Sequence, residues 1–257
     1  MSKTDDAFRE FLTATVKPPR RAKLAVVVAA ELAEDIFTRG LEPGDALPNE
    51  AEMLQGLDVS RATLREALRV LETQGVITMR TGRGGGPEVA QPNPRALAET
   101  LTVNFRALHV TFEEILFTRA TIEPALAHHA ALNHTQEDLD RLRACADAVA
   151  RTAWDAPEIL QLNRDFHTAV ALASHNRPLA VLWSAISAVA DGQGLGVDEA
   201  QWAVGKAAHR RIVAAIAKRD GRAAERAMSK HVSAYHQDVS ADYPTFLSTP
   251  VSIPRTQ

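Results

Sequence analysis

The chain has 257 residues, 46% of them hydrophobic and 24% charged, which is long enough for one large domain or two small ones. A formal net charge of -3 argues against general binding to polyanions, so any contact with DNA must come from a local patch. No apolar run approaches the roughly 20 residues of a membrane span, and the first residues lack the apolar segment of a secretory signal. The single cysteine, Cys145, excludes an internal disulfide. A cytoplasmic protein without a membrane partner is therefore expected.

The first part of the chain contains signals for an arm followed by two helices. Residues 1–20 are polar and end in a basic stretch with two prolines, so we interpret them as a flexible arm with one amphipathic turn at most. Apolar spacing predicts a helix from residue 21 to residue 37, which Gly40 ends. Asn49 is a plausible N-cap and Glu52 completes a capping box. A short second helix is therefore predicted to follow Asn49.

A third helix is predicted from Ser60, a good N-cap, and its apolar stripe consists of Leu64, Ala67, Leu68 and Leu71. Arg61 and Arg65 project together from a different face, with Thr63 between them. Hydroxyls and forked guanidiniums at the leading end of a helix suit the major groove, where arginine bonds guanine O6 and N7. On this helix alone, a solvated charged face explains the pattern equally well.

Two short strands and a glycine-rich turn follow. Residues 76–80 alternate as a strand, and residues 87–90 can return as a second one. In the turn, Arg83 lies among four glycines, so the backbone can approach a sugar-phosphate chain and the arginine can enter a minor groove. A nucleotide-phosphate loop is the alternative, but the Walker lysine is missing. Residues 21–90 are therefore predicted to form a winged helix-turn-helix.

This segment resembles the DNA-binding domain of the GntR family of bacterial transcription factors. The resemblance rests on Leu47-Pro48-Asn49-Glu50, Val59-Ser60-Arg61, Leu64-Arg65-Glu66-Ala67-Leu68, Leu71-Glu72 and Gly75-Val76-Ile77. It implies that Arg61 and Arg65 contact DNA bases or phosphates, with help from Ser60, Ala62, Thr63 and the wing residue Gly82. Asn49 and Arg83 complete the set of residues that we expect to contact DNA. The chain departs from the family at Ala51, where many members have an arginine, and at Asp58, where a glycine is usual. Because aspartate tolerates left-handed backbone, the turn is expected to survive.

The remaining residues predict a second domain. Residues 91–95 are proline-rich and are expected to be a linker. Apolar spacing over residues 96–240 predicts one helix after another, which favours an antiparallel all-helical bundle. Residues 241–257 contain three prolines and are interpreted as a loose tail. The fold class is therefore mainly α, with an N-terminal winged helix-turn-helix and a C-terminal helical bundle.

Polar residues of the predicted bundle form a candidate metal site. Asn163 and His167 are four residues apart on one helix and share a face. His209 and His231 are placed symmetrically about the helix break at residues 220–221, so they reach one level if the two helices fold back on each other. Three imidazoles and an amide oxygen could then surround one metal ion. Ordinary surface or core histidines are the alternative.

The bundle resembles the ligand-sensing domain of the FadR subfamily. The signals are Arg119-Ala120-Thr121-Ile122-Glu123, Asn163-Arg164-Asp165-Phe166-His167, Ser174-His175-Asn176-Arg177-Pro178-Leu179, His209-Arg210-Arg211-Ile212 and His231. The resemblance implies a divalent metal ion, of which zinc is our expectation, held by His167, His209 and His231, with Asn163 where the family has an aspartate. Arg119 either holds the carboxylate of an effector or is simply paired with Glu123.

These features favour a homodimeric regulator that binds a palindromic double-stranded DNA operator and responds to a small organic-acid or acyl-type effector. A metal-dependent hydrolase in the helical domain is the alternative. Against this alternative, the sequence has no His-Glu-x-x-His motif, and Asp165 faces away from the proposed metal site and cannot act there as a general base. We therefore expect no enzymatic activity. A structural helical adaptor is a third class.

Overall fold

A computed structural model describes residues 3–13, 20–82, 85–193 and 198–252. The chain divides into two compact units, Met1–Leu97 and Ala98–Gln257. The mainly helical fold class predicted from the sequence is confirmed. Within the described ranges, no helix is both long enough and apolar enough to cross a membrane.

The first unit contains the three predicted helices, a further helix before them and a two-stranded sheet. Its elements are α1 Lys3–Thr13, α2 Arg20–Thr38, α3 Glu50–Gly56, α4 Arg61–Thr73, β1 Ile77–Met79 and β2 Pro87–Val89. The strands pair antiparallel, with Ile77 opposite Val89 and Met79 opposite Pro87. The core combines the apolar stripe of α4 with residues from α2, α3 and both strands, including Val28, Ile36, Met53, Leu64, Leu68, Leu71, Ile77 and Val89.

The second unit is built from helices that pack around α6. Its elements are α5 Pro94–Ala107, which begins in the first unit, α6 Phe112–Asn133, α7 Gln136–Arg151, α8 Ile159–Ala173, α9 Arg177–Asp191, α10 Glu199–Ala217, α11 Gly221–Asp242 and α12 Pro244–Leu247. Helix α6 contacts α8, α9, α10 and α11. A helix surrounded in this way needs apolar residues on several faces, and α6 buries nine residues. Glu123 is a charged residue among those nine.

Two features of the termini differ from the sequence prediction. Residues 3–13 form three turns of helix instead of one amphipathic turn, because the apolar side chains at Phe8, Phe11 and Leu12 recur at helical spacing. The tail is packed against the unit as far as residue 252, since Leu247 and Val251 are buried. The backbone of the tail also bonds the rest of the unit, with the Val251 N–H donating to the Val110 carbonyl oxygen at 2.9 Å.

The turn between α3 and α4 also differs from the expectation at Asp58. Among the described residues other than glycine, positive φ occurs only at His109, His175 and Arg219. Asp58 therefore does not need the left-handed conformation that a glycine would supply. A hydrogen bond closes this turn instead: the Val59 N–H donates to the Leu57 carbonyl oxygen at 2.9 Å.

Candidate functional sites

The two helices of the helix-turn-helix begin with side-chain caps. The Asn49 side chain accepts from the backbone N–H groups of Ala51 and Glu52, and Glu52 accepts from the Asn49 N–H, so the predicted capping box is present. The Ser60 hydroxyl accepts from the Thr63 N–H at 3.1 Å. These caps satisfy N–H groups that the first turn of a helix leaves unbonded. They also define where each helix starts, and so where its first exposed side chains lie.

The leading end of α4 is open to solvent. Ser60, Arg61, Ala62 and Arg65 are exposed, whereas Thr63 is half-buried and its hydroxyl lies 2.8 Å from that of Ser60. Arg65 has a partner that the sequence did not predict: its Nε lies 3.6 Å from Oε1 of Glu50 on α3. The leading end of α4 therefore presents two exposed guanidinium groups, that of Arg61 and that of Arg65, and the second forms an ion pair with Glu50.

The wing has a glycine where its backbone requires one. Gly82 has φ of 104°, a conformation that L side chains rarely adopt. At Gly85, an added Cβ would collide with the Arg80 carbonyl group. At the base of this turn, Arg80 and Gly86 form two backbone hydrogen bonds, each residue donating its N–H to the carbonyl oxygen of the other. The predicted DNA contact at Arg83 lies outside the described residues.

The second site is a cluster of three histidines contributed by three helices. His167 of α8, His209 of α10 and His231 of α11 bring their ligand nitrogens within 4.8 Å of one another. Nε2 of His231 lies 3.2 Å from Nε2 of His209 and 3.3 Å from Nε2 of His167. The ring of His209 stacks on Phe166, with the two centroids 3.8 Å apart. The structure therefore brings together the three histidines predicted from spacing and resemblance.

The environment keeps His209 and His231 neutral. Burial lowers the pKa of His231 to about 3, and the neighbouring His167 adds to this effect. Burial likewise lowers the pKa of His209 well below its usual value, assisted by His231 and His167. A neutral imidazole keeps a lone pair on one ring nitrogen, which is the form that binds metal ions.

A buried ion pair lies beside the histidines. Arg119 donates from Nε to Oε1 of Glu123 at 2.8 Å, and the other oxygen, Oε2, lies 2.7 Å from Nδ1 of His167. This second contact is short, but it is not well aligned as an N–H···O bond. Burial acts to raise the pKa of Glu123, but the charge of Arg119 and the contact with His167 outweigh it and hold the pKa well below the usual range. Glu123 is therefore ionised.

A cavity of about 100 Å³ connects these groups. Its lining includes Arg119, Asn163, His167 and His231, so the predicted effector residue and three of the four predicted metal ligands face one space. Arg119 thus both lines the cavity and pairs with Glu123, and the two expectations for this residue are not exclusive. The fourth predicted ligand, His209, is completely buried behind them.

Sequence reasoning missed three acidic and aromatic residues that line this cavity, and it named Glu123 only as a possible partner of Arg119. Asp191, Tyr235 and Asp238 line it, and Glu123 supports Arg119 and His167 from behind. A weak signal existed for Asp191, because an acid is unfavourable at the C-terminal end of a helix such as α9. Burial raises the pKa of Asp191, although Arg164 lies 3.1 Å from its carboxylate. Asp165, predicted to face away, is exposed and bonds Gln161.

Comparison with known proteins identifies both units. Residues 24–85 match the family described as bacterial regulatory proteins, gntR family, and residues 114–234 match the FCD domain. The Uxu operon transcriptional regulator of Escherichia coli is 30% identical over 217 residues, covering 80% of this chain and 82% of the relative. A putative L-lactate dehydrogenase operon regulatory protein of Escherichia coli is 34% identical over 171 residues, covering 62% and 60%.

A solved structure supports the same assignment. The Streptococcus agalactiae GntR structure superimposes with a TM-score of 0.61 at 26% identity, covering 83% of this chain and 99% of that chain. The relatives and folds are transcriptional regulators and not enzymes, which confirms the expected absence of a catalytic role and removes the hydrolase alternative.

Proposed function

Because this chain belongs to the GntR family of bacterial transcriptional regulators and carries an FCD domain, it binds DNA, and we propose that a small organic acid held beside a divalent metal ion controls that binding. Three imidazole nitrogens, from the buried His167 and His209 and the half-buried His231, converge beside a cavity lined by an arginine, and this arrangement carries the proposal. The DNA contacts, the metal, the effector and a dimeric assembly are parts of it.

Two of the three nitrogen–nitrogen separations match those of a tetrahedral zinc site, and all three nitrogens lie within 4.8 Å of one another. Zinc–nitrogen distances of about 2.0–2.1 Å place two ligand nitrogens about 3.3–3.4 Å apart in a tetrahedron. The two Nε2···Nε2 distances at His231 are 3.2 and 3.3 Å. Ring nitrogens this close can bond one another only where one of them carries a proton, whereas a cation bound between them would accept a lone pair from each. The donor set therefore fits zinc, with Asn163 facing the same space as an uncharged oxygen ligand.

Arg119 is suited to hold the acid. Its Nε–H bonds Glu123, and a guanidinium has further N–H groups that can bond a carboxylate in the cavity. When bound, a divalent ion supplies an electropositive site for a second oxygen of the same ligand. The side-chain amides of Asn163 and Gln201 also line the cavity and can bond further oxygens of a hydrophilic acid. The relative named for an L-lactate dehydrogenase operon supports an organic acid of this kind.

On the DNA side, we propose that Arg61 and Arg65 enter the major groove from the first turns of α4, with Ser60, Ala62 and Thr63 beside them. Asn49 lies at the start of α3, where its side-chain oxygen caps the helix and its NH₂ group can donate to a phosphate, and the wing residues Gly82 and Arg83 are proposed to meet the adjacent DNA backbone. Two copies of the chain reading a palindrome would multiply the specificity. To shift a regulator from 1:99 to 99:1, the effector must prefer one state by about 5.5 kcal/mol.

Metal analysis of the purified protein tests the centre. We expect about one zinc per chain in the wild type, reduced content in Asn163→Ala, and the largest loss in His209→Ala, because an imidazole is a stronger ligand than an amide oxygen. His175→Ala is the matched control, since His175 lies in the same unit but bonds Asp138 instead. Equal metal content in all four proteins would contradict the site. Sequencing the genomic DNA that the protein retains would identify its operator.

A further inference from the structure

Glu123 is the charged residue most deeply placed behind the cavity. It is 1% exposed, and it is not among the described residues that line the cavity. An isolated carboxylate at such a position is costly, so its partners must account for it. Those partners are Arg119 and His167, which are the proposed effector residue and a proposed metal ligand.

The chemistry of the two contacts requires a carboxylate. The Arg119 guanidinium can only donate, and it uses Oε1 of Glu123. Oε2 is then left for Nδ1 of His167 at 2.7 Å, and an ionised oxygen can accept there but cannot donate. A proton on Nδ1 leaves the lone pair of His167 on Nε2, the atom that faces His231. In the present ring orientation this N–H is not aligned with the oxygen, so the bond requires a rotation of the ring.

We propose that Glu123 is the positioning residue of the centre: it fixes His167 in the Nδ1–H tautomer and joins this ligand to Arg119. The proposal rests on the metal centre put forward above. Outer partners of this kind orient metal-bound histidines and raise their basicity. Because one carboxylate supports both residues, the metal ligand and the effector arginine cannot move independently of each other.

Glutamine at position 123 is the informative replacement. It has nearly the same shape, but its amide has one oxygen and one donor group, so it cannot accept from both Arg119 and His167. If the oxygen stays with Arg119, the NH₂ group faces Nδ1 of His167 and favours a proton on Nε2. That tautomer has no lone pair to offer at the centre.

The test uses Zn²⁺ alone, titrated into the metal-free full-length protein against a competing chelator. We expect Glu123→Gln to weaken zinc binding about 10–100-fold and Glu123→Asp, whose carboxylate is withdrawn by one methylene, to weaken it less. Asp138→Asn is the matched control, because it alters another histidine–carboxylate pair of the same unit, His175–Asp138, away from the cavity. This control should bind zinc like the wild type.

Nitrogen NMR of the metal-free protein provides a readout that general destabilisation does not change. His167 should be the Nδ1–H tautomer in the wild type and should change to Nε2–H in Glu123→Gln. Unchanged zinc affinity in both Glu123 variants, or an Nε2–H tautomer of His167 in the wild type, would overturn the role of Glu123. Failure of the wild type to bind zinc would instead contradict the proposed metal centre itself.

Discussion

Nε of Arg65, on the proposed recognition helix α4, lies 3.6 Å from Oε1 of Glu50 at the start of α3. Both side chains are substantially exposed, at 60% and 36%, so the pair adds little to stability. Its consequence concerns DNA. If Arg65 bonds a base as proposed, it must first leave or share this acid, and the Glu50 carboxylate would repel phosphates that approach α4.

Replacing Glu50 with glutamine should therefore strengthen binding to DNA. We expect an increase of up to about fivefold, equivalent to about 1 kcal/mol, because the released arginine no longer gives up an ion pair. The free energy of unfolding should change by less than about 0.5 kcal/mol. Fluorescence anisotropy with labelled operator measures the affinity. Glu66→Gln is the control, because it removes the same charge from α4 near Arg69. An equal gain in affinity in both variants would mean that the change in net charge, and not the release of Arg65, causes the effect.

Arg65→Ala should weaken binding to the recovered operator by about 1–3 kcal/mol if the guanidinium reads a base. Binding to unrelated DNA should then change much less. Arg69→Ala serves as the comparison, since Arg69 lies on the same helix but farther from its leading end. Equal losses on both DNAs, together with a salt-dependence slope reduced by about one, would identify Arg65 as a phosphate contact.

The sequence predicted features that depend on local spacing. The recognition helix, the Asn49 capping box and the helices of the second unit follow from caps and apolar periodicity, which neighbouring residues determine. The cluster of His167, His209 and His231 needed the additional assumption that α10 and α11 fold back on each other. The prediction that one helix ends and another begins at residues 220–221 was correct. The Asp220 side chain caps α11 by accepting from the Ala223 N–H.

Contacts between distant segments were not predictable in the same way. Glu123 looks like the i+4 partner of Arg119, and its contact with His167 depends on how α6 packs against α8. The pair between Arg65 and Glu50 depends on the angle between α3 and α4. The tail was misinterpreted because its prolines suggest a loop, whereas packing of Leu247 and Val251 against other helices determines its position.

Asn163→Asp should strengthen metal binding. The side chain of residue 163 lines the cavity beside His167 and His231, and a carboxylate adds a negative charge where the amide offers only a dipole. We expect zinc or manganese affinity to rise by about tenfold or more, since charge–charge attraction at ligand distance is large. Isothermal titration of the metal-free protein measures this. Asp165→Asn, on the exposed side of α8, should leave the affinity unchanged; no gain in Asn163→Asp would place residue 163 outside the ligand set.

The contribution of Asp138 should depend on pH in a defined direction. Partial burial acts to raise the pKa of Asp138, but hydrogen bonds from Thr135 and His175 outweigh it, and the pKa is lowered. A carboxyl whose pKa is lower in the folded state stabilises the fold above its unfolded pKa of about 3.9 and loses that effect as the pH falls through the folded pKa. Asp138→Asn should thus cost about 1 kcal/mol near neutral pH and progressively less below about pH 4. Chemical denaturation of both proteins from pH 3 to 7 checks this, and a cost that grows toward low pH would contradict the assignment.

The C-terminal segment should be part of the folded core of the second unit. Val251 is 1% exposed, Phe246 packs edge-on against Phe112 with centroids 5.1 Å apart, and Gln193 accepts from the backbone and hydroxyl of Ser252. Removing two buried methyl groups by Val251→Ala should cost about 1.5–3 kcal/mol, because the transfer free energy and a small cavity add. Ser248→Ala, at an exposed position of the same segment, should cost less than about 0.5 kcal/mol.

Thermal unfolding of the two variants distinguishes a packed segment from a loose one. A packed segment requires a clear loss of Tm in Val251→Ala and almost none in Ser248→Ala. Equal, small effects would mean that residues 243–252 detach in solution. In that case, a stop codon after Asp242 should leave Tm unchanged. The packed arrangement predicts that this truncation lowers Tm more than Val251→Ala does, because it also removes Leu247 and exposes the apolar surface around Phe112.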